Sequence, residues 1–282
     1  MNNKLIGLII GLAAVFCASA LAEGQSTSVC PAEQLAINNS NYIILTKMPP
    51  MMPNDGSLTM QFSGRGKLYD YESSGSMSLS RCGRLENRTE TEERDIGDNK
   101  KMRTTIHITR DKRQGWLMEI ALNGFYKDRT SVDTRHYYTD KLGRIIRAEG
   151  QYRTGEDLAP PTTWQYLYDD QNRVIREVMK HVDFPADILI DYYYDINGRL
   201  AHITEEARTR LLRWDEQGRW LSSMLQGNAA SNTMRFEDKC TRWDVAGNCT
   251  QENRWEADTH RAGIERETQV NYQIHYQPNN SQ

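Results

Sequence analysis

The sequence predicts a mainly β protein, an antiparallel meander of β-hairpin repeats forming an open, disulfide-containing sheet. Three observations carry that expectation. An aromatic residue or Thr followed by Asp opens a short turn five times in the second half of the chain; β-forming residues flank the turns; and four cysteines follow an N-terminal export signal. The copies are Thr139-Asp140-Lys141-Leu142-Gly143-Arg144, Tyr168-Asp169-Asp170-Gln171-Asn172-Arg173, Tyr194-Asp195-Ile196-Asn197-Gly198-Arg199, Trp214-Asp215-Glu216-Gln217-Gly218-Arg219 and Trp243-Asp244-Val245-Ala246-Gly247-Asn248. Four of them close on Arg. A supersecondary unit copied along a chain dictates its architecture.

In chain order, residues 1–22 read as a signal peptide: Lys4, an apolar run from Leu5 to Ala18, and Ala20-Leu21-Ala22 as a small-x-small cleavage site. The run is shorter than the roughly 20 residues that span a bilayer, so the mature chain is expected to carry no transmembrane segment. Lipid attachment at Cys17 is disfavoured because Val15-Phe16 precede it. Without Lys4 the chain holds 34 basic against 38 acidic residues, a balance that gives no field for nucleic acid. Cys30, Cys82, Cys240 and Cys249 remain, an even number in an exported chain, and closeness in sequence favours Cys30–Cys82 and Cys240–Cys249.

Residues 23–130 form an N-terminal β region, possible to join with 131–282 as one domain. Tyr42-Ile43-Ile44-Leu45 predicts a strand, Met48 to Gly56 an irregular segment, and Leu58, Met60 and Phe62 an alternating strand. Leu68 to Tyr71 and Met77 to Leu79 suggest further strands, with a degenerate early turn at Tyr71 to Gly75. The charged stretch Glu86 to Lys101 predicts a mobile loop, and Arg103–Arg110 with Gly115–Leu122 a hairpin.

The region 131–282 holds the repeats. Asp195 can bond its carboxylate to later backbone N–H groups, and Gly198, like Gly218, supplies the positive φ of a bulged hairpin. That register sets Asp195 against Arg199, Tyr194 against Leu200, Tyr192 against His202 and Trp214 against Trp220. Asp140–Arg144, Asp169–Arg173 and Asp215–Arg219 repeat the ion pair, so all of these residues read as structural. In the same register Cys240 and Cys249 fall on opposite faces, which strains their pairing unless the last turn is tighter. The Asp-to-Asp spacings of 29, 26, 20 and 29 residues exclude a strict solenoid. Arg208 to Arg213 reads as the solvated side of a strand.

Tyr192 to Leu200 resembles the YD repeats of RHS-type proteins, whose units read Tyr-x-Tyr-Asp-x-x-Gly-Arg-Leu. The likeness covers about residues 135–255 and implies YD-type β-hairpins, a sheet scaffold, and a link to toxin and immunity systems. Ser74 to Cys82 and the Cys-rich aromatic-Asp end are similar to enterobacterial lipoproteins of the YnfC type, which implies an envelope location.

For chemistry, Ser63-Gly64-Arg65-Gly66-Lys67 lacks the spacing of a phosphate loop, no Gly-x-Ser-x-Gly elbow occurs, and no histidines pair at helical spacing. No catalytic residue, metal ligand or cofactor is expected. Tyr193, on the face opposite Tyr192 and Tyr194, is the one binding candidate. The sequence thus points to a periplasmic or secreted non-catalytic protein binding an envelope protein or glycan over its sheet, with a polysaccharide hydrolase or a toxin-system component as alternatives.

Overall fold

The structure is a computed structural model and describes residues 30–52, 56–66, 71–97, 100–111, 115–126, 129–206, 208–227, 234–258 and 264–277. The expected signal peptide and Cys17 lie outside them. Among the described residues one α-helix, α1 (Ala32–Thr46), precedes β1 (Ser57–Gly66), β2 (Tyr71–Leu79), β3 (Leu85–Gly97), β4 (Lys100–Asp111), β5 (Gly115–Tyr126) and β6 (Arg129–Thr139). Then follow β7 (Ile145–Thr154), β8 (Asp157–Leu158), β9 (Thr162–Tyr168), β10 (Val174–His181), β11 (Ile188–Tyr194) and β12 (Leu200–Glu205). The chain ends on β13 (Arg208–Trp214), β14 (Trp220–Gly227), β15 (Met234–Trp243), β16 (Cys249–Asp258) and β17 (Ile264–Gln277).

The sheet is closed, which corrects the expectation of an open meander. β1 pairs with β2 on one edge and with β17 on the other, from Ser57 opposite Gln277 to Gly66 opposite Thr268. At the other junction β7 pairs with β9, leaving the two-residue β8 as a side ribbon on β7. Sixteen antiparallel strands therefore make one barrel, and strands from both halves of the chain share it. Closure removes the free edges that an open sheet would expose to other chains. The short run Ser63 to Gly66, which lacks phosphate-loop spacing, is the end of β1.

The wall follows the period of two that a pleated strand imposes. In β1, Leu58, Met60 and Phe62 are buried while Thr59, Gln61, Ser63 and Arg65 are exposed. Gly75 makes room for the inward ring of Phe62: a Cβ there would sit 2.4 Å from Phe62 Cζ. Leu85, Ile108, Trp116, Tyr137, Ile145, Val174, Tyr192 and Val270 continue the core around the barrel.

α1 replaces the expected strand at Tyr42 to Leu45. Its second half, Asn-Asn-Ser-Asn-Tyr-Ile-Ile-Leu-Thr, is poor in helix formers, so propensity argues against it and packing decides. Residues Asn41 to Leu45 are all buried, as in a helix surrounded by protein on every side. The helix plugs one barrel end by pairing with hairpin turns. Asn41 Nδ2 donates to Gly143 O and its Oδ1 accepts from Ile145 N; Ser40 Oγ donates to Asn172 O and accepts from Val174 N. Asn38 Nδ2 donates to Cys82 O. Each pair satisfies a carbonyl and an amide that the turn leaves beside the helix, so the buried polar stripe is fully partnered.

The five Asp turns share one geometry. In the third, Asp195 Oδ1 accepts from Asn197 N and Arg199 N at 2.9 Å each, and Oδ2 accepts from Arg199 Nε at 2.8 Å. Gly198 takes φ +76°, and Asn172 takes φ +61° in its place in the second copy. Neighbouring copies also clasp one another: Tyr168, Tyr194, Trp214 and Trp243 each donate to the carbonyl of the residue after the previous copy's closing Arg. The last copy keeps the same turn without Arg; Tyr276 of β17 donates to Asp244 Oδ2 and accepts from Asn248 Nδ2.

A further turn of this kind was not read from the sequence. Ser80 N donates to Arg84 O and Gly83 N to Ser80 O, as in the Asp turns, and Gly83-Arg84-Leu85 repeats Gly198-Arg199-Leu200. The early copy expected at Tyr71 to Gly75 is instead continuous strand within β2.

Two details of register differ from expectation. Tyr194 faces Leu200 and Trp214 faces Trp220, but a shift between Tyr193 and Tyr194 puts Tyr193, not Tyr192, opposite His202. In β15 two successive shifts around Arg242 leave Thr241 as the extra residue of a bulge. The bulge reverses the facing of Cys240 relative to Trp243, so Cys240 joins Cys249 although Trp243 faces Cys249. Cys30 joins Cys82, tying the start of α1 to the Ser80–Arg84 turn.

The turn carboxylates make stability acid-sensitive. Partial burial would raise Asp140, Asp169, Asp195 and Asp215, but hydrogen bonds from each closing Arg outweigh it and hold all four below the usual range. Depressed native values contribute stability that is complete above about pH 4 and is lost as pH falls through them. Urea midpoints should therefore decline between pH 4 and 2, and Asp195→Asn, which keeps the Oδ1 acceptor, should flatten part of that decline. An unchanged profile in the variant would refute the assignment.

Candidate functional site

Beyond α1 the lumen changes character from apolar to charged. β3 was expected to be a loop; it is a strand whose outward residues Asn87, Thr89 and Thr91 alternate with inward Arg88, Glu90, Glu92 and Arg94. Arg88 Nη2 bonds Glu90 Oε2 at 2.5 Å, and Arg94 bonds Glu92. Four strands further round the ring, Glu252 and Arg254 of β16 form a similar pair, Nε to Oε1 at 2.9 Å. Arg266 of β17 approaches Glu256 at 3.8 Å, and Arg210 of β13 approaches Asp238 at 3.9 Å. In the run Arg208 to Arg213, read as the solvated side of a strand, Arg208 and Arg213 are exposed while Arg210 lines the lumen.

These side chains enclose a cavity of about 360 Å³, whose floor is the end of α1 and the following turn, Thr46 to Pro49. Tyr71, Trp220, Phe236 and Trp255 supply its aromatic surface. Glu90 and Glu252 are 8% and 2% exposed, so the ion pairs are taken out of bulk water. Burial, then the Glu252 carboxylate beside it, pushes the Asp238 carboxyl up, although Ser223 Oγ donates to it at 3.0 Å. Both Glu252 oxygens are committed, Oε1 to Arg254 and Oε2 to Tyr272. Burial and Glu92 push the Tyr71 phenol up to about 12, so it is a hydrogen-bonding group and not a base at neutral pH.

The chain's C-terminal strands and its first strands build this site jointly, which is why no local motif announces it. The Asp and Arg residues of the turns are at the opposite, plugged end, where they close the hairpins and where Arg173 and Arg199 also border a separate cavity of about 690 Å³ beside α1. Tyr193 is on the outer wall, 45% exposed and stacked on His202 with ring centroids 4.2 Å apart. It does not reach the lumen. Among the described residues no group of three or more His, Cys, Asp or Glu side chains is placed to hold a metal ion.

No family model and no curated protein matches this chain. Among solved structures, the chain is similar to a porin-like protein from Bacteroides uniformis ATCC 8492, with a TM-score of 0.47 and 12% identity over 77% of this chain and 97% of that one. No helix among the described residues is long and apolar enough to cross a membrane.

Proposed function

We propose that this is an exported, non-catalytic envelope protein that binds a glycan inside its barrel. The carrying observation is the charged, aromatic-walled cavity. Replacing buried ion pairs by apolar residues of similar size commonly leaves a protein as stable or more so, by about 1–4 kcal/mol, so a lumen holding several pairs calls for a reason other than stability. A volume of about 360 Å³ suits one or two sugar rings, with aromatic faces for stacking and charged groups for hydroxyls. The closed sheet moves the binding surface from an open face to the lumen.

An oxidising compartment, periplasmic or extracellular, fits the two disulfides, which persist there. The outer faces of β1 to β4 are polar, with Thr59, Gln61, Glu72, Ser74, Asn87, Thr89, Arg103 and His107 exposed, whereas β7, β9, β10 and β11 expose Ile146, Leu167, Ile175 and Leu189.

Trp220 and Trp255 make binding observable. Titrating the mature protein with neutral and acidic oligosaccharides should give a saturable change in tryptophan fluorescence, weakened by Glu90→Gln. Absence of a saturable response to every sugar would refute the reading. New reducing ends during incubation would instead favour hydrolysis, for which the raised Asp238 would be the acid.

A further inference from the structure

Four methionine side chains line one small cavity beside the end of α1: Met48, Met51 and Met52 from the segment after the helix, and Met60 from β1. The cavity measures about 60 Å³. That is the space of about two waters at roughly 30 Å³ each, enough for one ion and too little for a sugar ring.

The methionines hang from two anchored stretches of backbone. In Met48-Pro49-Pro50-Met51-Met52 the prolines fix φ and offer no amide, and Met52 N donates to Asn248 Oδ1 at 2.6 Å, which ties the segment to the last Asp turn. Met60 is 6% exposed on a strand paired along both edges. Three rotatable bonds in each side chain let the sulfurs turn toward a common centre without moving either backbone.

The lone pairs left over decide what the lining can hold. Glu252 Oε1 accepts from Arg254 and Oε2 from Tyr272, Asn248 Oδ1 is taken by Met52, and Cys249 is in a disulfide. Carboxylate, amide and thiol ligands are thus committed, and thioether sulfur remains. Thioethers are soft, neutral ligands that select Cu(I), whereas Mg²⁺ and Ca²⁺ take oxygen and Zn²⁺ takes thiolate, imidazole or carboxylate. A single positive charge also suits the surroundings, because the buried Glu252 carboxylate and the indoles of Trp214 and Trp220 border the same space.

We infer that Met48, Met51, Met52 and Met60 form a site for one Cu(I) ion. The site adjoins the charged cavity and does not depend on what that cavity binds. Ag(I), a redox-inert ion of the same charge and softness, is the probe for titrating the mature protein, followed by native mass spectrometry and tryptophan fluorescence. One Ag(I) per chain should bind and quench the emission, and the protein should withdraw Cu(I) from a bicinchoninate complex without air. Met51→Leu/Met52→Leu, which keeps size and apolar character, should weaken both ions about 10- to 100-fold, the range of even an indirect loss at a metal site. Met118→Leu, a core change on β5 outside the cavity, should leave both affinities unchanged. X-ray absorption of the Cu(I) form should show sulfur neighbours and no nitrogen. Failure of wild type to take up one Ag(I) per chain would overturn the inference, as would binding that the double variant leaves intact or a nitrogen neighbour on the copper.

Discussion

Replacing Lys47 with Met is expected to lower the unfolding free energy by about 3 kcal/mol, near the lower end for breaking a buried ion pair, because the lysine is itself 43% exposed. Lys47 caps α1 in the left-handed conformation, its N–H donating to Ile43 O, and Met fits that backbone no worse. Its Nζ meets Glu177 Oε2 at 2.5 Å and donates to the Tyr192 hydroxyl at 2.9 Å. Glu177, 3% exposed, has Tyr192 as its other partner, and burial together with the Glu177 charge pushes that phenol far up. The variant would leave a carboxylate buried without its cation. Adding Glu177→Gln should recover most of the loss, as the amide needs no counter-charge. Urea unfolding of the single and double variants measures this; equal losses in both would show that the pair does not hold α1 in the barrel.

What could be read from the chain follows the range of the interactions. The Asp turns were legible because their chemistry closes within five residues: Asp195 and Arg199 need nothing from outside. Closure was not, since Ser57 meets Gln277 across nearly the whole mature chain and neither strand carries a mark of its partner. α1 was misread for the opposite reason. Ile43, Ile44 and Leu45 look like a buried strand, and only the turn carbonyls waiting for Asn38, Ser40 and Asn41 make a helix the better solution. β3 held a usable signal that charge obscured. Thr89 and Thr91 alternate with Glu90 and Glu92, the period of a strand, but charged inward residues are expected only once a polar lumen is known. The lumen could not be read at all, because Arg94, Trp220 and Glu252 converge only through the closed ring.

Removing the Cys30–Cys82 disulfide should cost more than removing Cys240–Cys249. The chain-entropy model gives about 4 kcal/mol for a separation of 52 residues and under about 3 kcal/mol for a separation of 9. The two bonds also differ in what they join. Cys240–Cys249 staples a hairpin already paired along its length, whereas Cys30–Cys82 is the covalent tie between the start of α1 and the barrel wall. In Cys30→Ser/Cys82→Ser, amides of α1 should lose hydrogen-exchange protection before those of β9 and β10, because local opening begins where contacts are fewest. Since Thr46 to Pro49 form the floor of the charged cavity, a loosened helix should also weaken ligand affinity, which the equivalent Cys240→Ser/Cys249→Ser variant should spare. Simultaneous loss of protection in α1 and the strands would show instead that plug and barrel unfold as one unit. In that case the floor could not move independently, and the difference between the two bonds would reduce to loop length.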